Sequence, residues 1–148
     1  MKYFIIISNL LFITTFISSC VTPLPKTKRT ITKIIETNKS QDDLFTTANI
    51  WLADSIISAE TTIEYADKKT GILRGNGIAV WHITPFFTTY YQYSIKIDIK
   101  NNRAKIELMA TEAKYTITQS LWNKRIKNNF ETIIADFEQS ISAKNDTF

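Results

Sequence analysis

Cys20 is the only cysteine of the chain, and it closes the run Ile17-Ser18-Ser19-Cys20. A branched aliphatic residue, two small residues and a thiol are what a lipoprotein signal peptidase reads. Small side chains fit its cleft, and the thiol must be free to take a diacylglyceryl thioether before the cut. Upstream stand one charge, Lys2, and an apolar stretch over residues 3–17, the layout of a short basic n-region and an h-region. The expectation is a signal peptide over residues 1–19, lipid attachment at Cys20, and a membrane engaged through that lipid. A transmembrane anchor needs about 20 apolar residues, and this run is shorter and broken by Ser8, Asn9 and two threonines. An ordinary secretory signal would leave an odd reactive thiol on an exported protein. Val21 is not the acidic residue that retains many Gram-negative lipoproteins at the inner membrane, so the expected place in such a host is the outer membrane.

Other residue types capable of chemistry are scattered. His82 is the only histidine, and a zinc site or a nucleophile–base pair needs partners that no cysteine or second histidine supplies. The three glycines, Gly71, Gly75 and Gly77, lack the strand-to-helix setting of a nucleotide-binding loop. Glycines within a strand mark bulges, bends or close approaches. Glu64, Asp98 and Glu107 could share one sheet face, but so could Lys96, Lys100 and Lys105, which makes ordinary cross-strand pairs. No catalytic constellation, metal site or cofactor is expected. The odd feature is the aromatic stretch holding Trp81, Phe86, Phe87, Tyr90, Tyr91 and Tyr93, interrupted by Pro85. Proline is barred from a central strand, so residues 85–89 are expected to form a loop, with Phe86 and Phe87 either tucked in or offered to a partner.

The elements that would position these residues are legible in the periodicity. Residues 20–28 carry two prolines and read as an extended tether, reaching roughly 25 Å at about 3.1 Å per residue. Residues 29–148 read as one domain with no disulfide, large enough to bury its own core. A β-branched strand over 29–37 leads to a helix that Ser40 caps, with Leu44, Ala48, Trp51 and Leu52 on one stripe to about residue 57. Four strands follow: 61–66, with Ile63 and Tyr65 on one side; 72–83, after turn chemistry at 67–71; the alternating 91–100; and a partner carrying Ile106, Leu108 and Ala110 inward. Asn101-Asn102 suits a tight turn with positive φ. Thr118 or Ser120 then caps a closing helix of some 22 residues, about 33 Å long, with Leu121, Trp122, Ile126, Phe130, Ile133, Ile134, Phe137 and Ile141 in one stripe. The predicted architecture is a two-layer α+β domain of order β-α-β-β-β-β-α, a curved antiparallel sheet with both helices on one face and the other face open and polar.

Three stretches carry a family resemblance: Leu44-Phe45-Thr46-Thr47-Ala48-Asn49-Ile50-Trp51-Leu52; Asp67 through Gly71 followed by Ile72-Leu73-Arg74-Gly75-Asn76-Gly77; and the strand and hairpin from Tyr93 to Ala104. Over roughly residues 30–115 the chain resembles a family of secreted bacterial proteins known as a domain of unknown function with a TATA-binding-protein-like fold. The resemblance implies that fold and a secreted habit, and brings no active site. The namesake fold bends DNA through its open face with apolar wedges and arginines. Mixed charges on an exported chain point away from nucleic acid. Charges of both signs alternate, and removing Lys2 takes the net charge only from +4 to +3. The functional expectation is a non-enzymatic, lipid-anchored envelope module that binds a protein or glycan partner. The alternative is a carrier of a small apolar ligand held between the closing helix and the sheet.

Overall fold

The computed structural model describes residues 22–55, 62–84, 87–113 and 117–143, with backbone alone at 55, 62, 81–84, 87–89 and 112. The signal segment, Cys20 and Phe86 lie outside the described residues. Strands β1 (Thr30–Glu36), β2 (Thr62–Asp67), β3 (Ile72–Thr84), β4 (Phe87–Lys100) and β5 (Arg103–Ala113) form one antiparallel sheet of order β1-β5-β4-β3-β2. Helix α1 (Gln41–Ser55) follows β1. A second helical run, α2, covers 119–142 as Gln119–Leu121, a π turn at Trp122–Ile126 and Lys127–Ser142. Element order and fold class are those expected from the sequence.

The alternation of β4 and β5 decides where the core lies. Tyr91, Tyr93, Ile95, Ile97 and Ile99 of β4 and Ala104, Ile106, Leu108 and Ala110 of β5 are all buried on one face, as period-2 patterning requires. Both helices cover that face. Leu44, Ala48, Trp51 and Leu52 of α1 meet Trp122, Ile126, Phe130, Ile134, Phe137 and Ile141 of α2. Trp51 packs its ring 4.7 Å from that of Phe137 and donates its indole N–H to Asp136 Oδ2 at 2.7 Å. Phe130 is the hub of an aromatic cluster, 5.5 Å from Tyr93, 6.0 Å from Tyr91 and 5.8 Å from Trp122.

Local signals terminate the elements. Ser40 Oγ accepts the Asp43 N–H at 3.2 Å and its hydroxyl donates to the Asp43 carboxylate at 2.7 Å, while Asn101 Oδ1 accepts the Gln41 N–H. Two orphan amides at the start of α1 are thus satisfied. Thr118, of the two candidates, caps α2 by accepting the Leu121 N–H. Lys39 Nζ donates to the Ala143 carbonyl at the far end, where a cation suits the helix dipole. Asn102 takes φ 65° in the β4–β5 turn, and Gly71 takes φ 69° in the β2–β3 turn. A Cβ at Gly77 would overlap the ring of Tyr93, directly opposite on β4, so glycine is there for a close approach.

Several expectations are corrected. Residues 87–89 are not part of a loop: they belong to β4, where Phe87 pairs with Thr84, while Pro85 and Phe86 lie outside the described residues. Ile63 and Tyr65 do not share a side, because a bulge between them sets Ile63 opposite Gly75 and Tyr65 opposite Arg74. The segment 20–28 is not an extended tether throughout. Leu24 is buried, its N–H donates to the Ile117 carbonyl at 2.7 Å, the Leu24 carbonyl accepts from Arg29 Nε, and Lys26–Lys28 form a 3-10 turn. Leu24, docked on the core between two exposed prolines, leaves only the residues before it as spacer. The π turn of α2 was also unforeseen.

Candidate functional site

The layer between helices and sheet is filled by side chains, with Tyr91, Phe130, Phe137, Leu52, Ile126 and Ile97 each all but inaccessible. Among the described residues no buried side-chain nitrogen or oxygen lacks a hydrogen-bond partner. Burial pushes the Tyr91 hydroxyl well above the ordinary tyrosine range, with Tyr93 nearby adding to it, and burial raises Tyr93 as well. The Tyr91 hydroxyl donates to Asn129 Oδ1 at 2.7 Å. These phenols are held neutral inside the core.

Chemistry accessible to solvent sits on the opposite face. There the register builds a checkerboard: Lys96 stands opposite Glu107 and Asp98 opposite Lys105. Lys96 also bridges Asp98 along its own strand at 2.9 Å, and Lys105 bridges Glu107 at 3.7 Å. Glu64 Oε1 accepts from the Asn76 side chain on the neighbouring strand. All three carboxylates noted in the sequence are therefore engaged, two by cations and one by an amide. Asp67 closes the β2–β3 turn, and hydrogen bonding by Thr70, then by the Lys69 N–H and the Tyr65 hydroxyl, holds its carboxyl below the usual range.

One row breaks the checkerboard. Lys100 and Arg103 flank the Asn101-Asn102 turn and stand opposite each other, like charges in a position where repulsion is felt. Both are exposed. Beside them lies a hollow of about 380 Å³ lined by Ile34, Thr70, Ile72, Asp98, Lys100, Arg103 and Lys105. Ile34 is 57% exposed there. The hollow thus has apolar walls and an excess of cations on its rim, the complement of a ligand group with an anion beside apolar surface. The open face as a whole is less polar than its alternation predicts, since Ile34, Tyr65, Val80 and Tyr90 are all exposed on it.

Of the residues singled out from the sequence, Cys20 and Phe86 lie outside the described residues. Phe87 opens β4, and His82 sits in β3 opposite Thr88; neither side chain is described. Among the described residues no three or more His, Cys, Asp or Glu gather as metal ligands, and no helix is long and apolar enough to cross a membrane. Sequence reasoning missed Ile34, Ile72 and Arg103, although Lys100-Asn101-Asn102-Arg103 already implied the like-charged pair.

A curved five-stranded antiparallel sheet with two helices packed on one face and the other left open defines a TBP-like α+β protein. The chain belongs to the DUF4468 family, the domain of unknown function with TBP-like fold, whose model matches residues 32–114. It is similar to a DUF4468 family protein from Bacteroides ovatus, at TM-score 0.63 and 16% identity over 91% of this chain and 98% of that one. It is also similar to a TBP-like protein from Parabacteroides distasonis, at TM-score 0.55 and 15% identity over 75% of this chain and 93% of that one. At such identities the likeness is one of fold. No curated protein matches the chain.

Proposed function

We propose that this protein is a lipid-anchored binding module of the bacterial cell envelope, held by an acylated Cys20 and offering its open sheet face to an acidic protein or glycan partner. The observation that supports it best is the hollow ringed by Lys100, Arg103 and Lys105. Two like charges set face to face are destabilising alone and are relieved by an anion. The module reading is favoured over the apolar carrier by the filled layer between helices and sheet. It is favoured over catalysis by the engagement of Glu64, Asp98 and Glu107, since acid–base work wants a shielded carboxyl with a raised pKa.

Two measurements test this reading. Metabolic labelling with a fatty acid should mark the wild type and leave the Cys20→Ser form unlabelled; equal labelling refutes the anchor. Chemical crosslinking in intact envelopes should capture a partner with the wild type and lose it with Lys100→Glu/Arg103→Glu. Both side chains are exposed, so folding should persist in that variant. An unchanged crosslinking pattern refutes the assignment of the hollow.

A further inference from the structure

Beyond the Tyr91–Ala113 pair, β3 and β4 continue with only each other as partners among the described strands, through Val80–Tyr90, Trp81–Thr89, His82–Thr88 and Thr84–Phe87. Four residues of β4 at about 3.3 Å each carry this ribbon roughly 13 Å beyond the last described pair with β5. The ribbon leaves the sheet at the end where β1 begins and β5 finishes, since Thr30 pairs with Met109 and the Arg29 carbonyl accepts the Ala110 N–H. Leu24, fixed to Ile117, lies at that same end. The hollow flanks the β4–β5 turn, at the opposite end.

The ribbon's composition sets it apart. Over residues 75–95 there is no Asp, Glu, Lys or Arg, in a chain with 22% charged residues. Val80 is 59% exposed and its cross-strand partner Tyr90 42% exposed, with Ile78 half-buried on the same face. Such a surface costs free energy in water and needs a partner that is apolar and uncharged. The chain itself indicates which. Four residue steps separate Cys20 from docked Leu24, a span of at most about 14 Å. An acyl chain on Cys20 therefore brings the bilayer to within the ribbon's own reach.

We infer that the β3–β4 ribbon is a second membrane contact, which lays Ile78, Val80 and Tyr90 on the lipid headgroup region beside the anchor. This rests on the anchored reading above. Depth follows from hydrogen bonding. An open strand edge would leave backbone N–H and C=O groups that hydrocarbon cannot satisfy. The contact is therefore interfacial, where water still reaches such groups and where tyrosine and tryptophan are enriched. The arrangement fixes two points of the domain on the membrane and turns the cationic hollow outward.

The test can be made independent of acylation. All buried apolar residues among those described fall within 24–141, so the chain from Val21 onward keeps that core. A histidine tag in place of the acyl group, with nickel-chelating lipid in phosphatidylethanolamine–phosphatidylglycerol vesicles, imposes the same proximity. With Cys20 removed, Val80→Cys supplies a single thiol for an NBD fluorophore, and Ile34→Cys supplies the control at the hollow. NBD at Val80→Cys should shift to the blue on vesicle attachment and be quenched several-fold more than at Ile34→Cys by lipids with headgroup nitroxides. Equal, weak quenching at both positions overturns the membrane contact. Failure of fatty-acid labelling at Cys20 would instead remove the anchor and leave this measurement standing on its own.

Discussion

Phe130→Ala is the most direct test of the core. Phe130 is fully buried, and its ring meets Tyr91, Tyr93 and Trp122 edge-on or tilted at centroid distances of 5.5–6.0 Å. Truncating a buried phenylalanine removes its transfer free energy and leaves a cavity, together about 3–5 kcal/mol. Three lost aromatic contacts, each of about 0.5–1.5 kcal/mol beyond area burial, place this site in the upper half of that range. Domains of this kind have a total stability of about 5–15 kcal/mol, so the variant should fold but only marginally. With a urea slope of about 2 kcal/mol per molar, a loss of about 4 kcal/mol moves the midpoint down by about 2 M. Unfolding should be followed by circular dichroism and by tryptophan fluorescence, which Trp122 makes sensitive to this cluster. Phe130→Leu keeps most of the volume and should lose less than half as much. A midpoint shift below about 0.5 M with unchanged slope would refute the packing of α2 on β4.

Gly77→Ala should force the Tyr93 ring off its neighbour and cost about 1–3 kcal/mol as an overpacked site; an unchanged thermal melt would refute the close approach. Gly71→Ala combines positive φ with overlap on the Ile99 carbonyl and should be destabilising by at least about 1 kcal/mol, with a neutral melt as the refuting result. Tyr91 has a raised pKa in the folded state, so its contribution is intact below the ordinary tyrosine value of about 10 and is lost as pH rises above it. Tyr91→Phe should therefore unfold at higher pH than the wild type in a base titration, while losing roughly 0.5–1.5 kcal/mol at neutral pH with the bond to Asn129. An unchanged alkaline midpoint would refute the buried phenol.

The period-2 and period-3.6 patterns were enough to predict the fold because each element has only one apolar side. Ile95, Ile97 and Ile99 alternate with Lys96, Asp98 and Lys100, so one sheet face had to be covered, and two amphipathic helices were there to cover it. The π turn, which was not anticipated from the sequence, fits the spacing of the stripe. Trp122, Ile126, Phe130 and Ile134 are spaced by three successive steps of four residues, and each such step drifts about 40° from a period of 3.6. A wider turn brings Trp122 back onto the stripe. The bulge at Glu64 and the docking of Leu24 were not legible, since each depends on a partner, Arg74 or Ile117, that only the folded chain brings near.

The hollow shows where the boundary between readable and unreadable lies. Once Asn101-Asn102 is a two-residue turn, Lys100 and Arg103 must face each other, because the residues flanking such a turn always do. The like-charged pair was thus contained in four consecutive residues. Its apolar wall was not. Ile34 reaches the rim because β1 lies against β5 with Ile34 opposite Lys105, a register set by burying Ile31 and Ile35 on the helix side. Shifting β1 by one residue would turn Ile35 to solvent and Ile34 into the core. The exposed isoleucine at the cationic rim therefore follows from core burial on the other face, and no local pattern around residue 34 announces it.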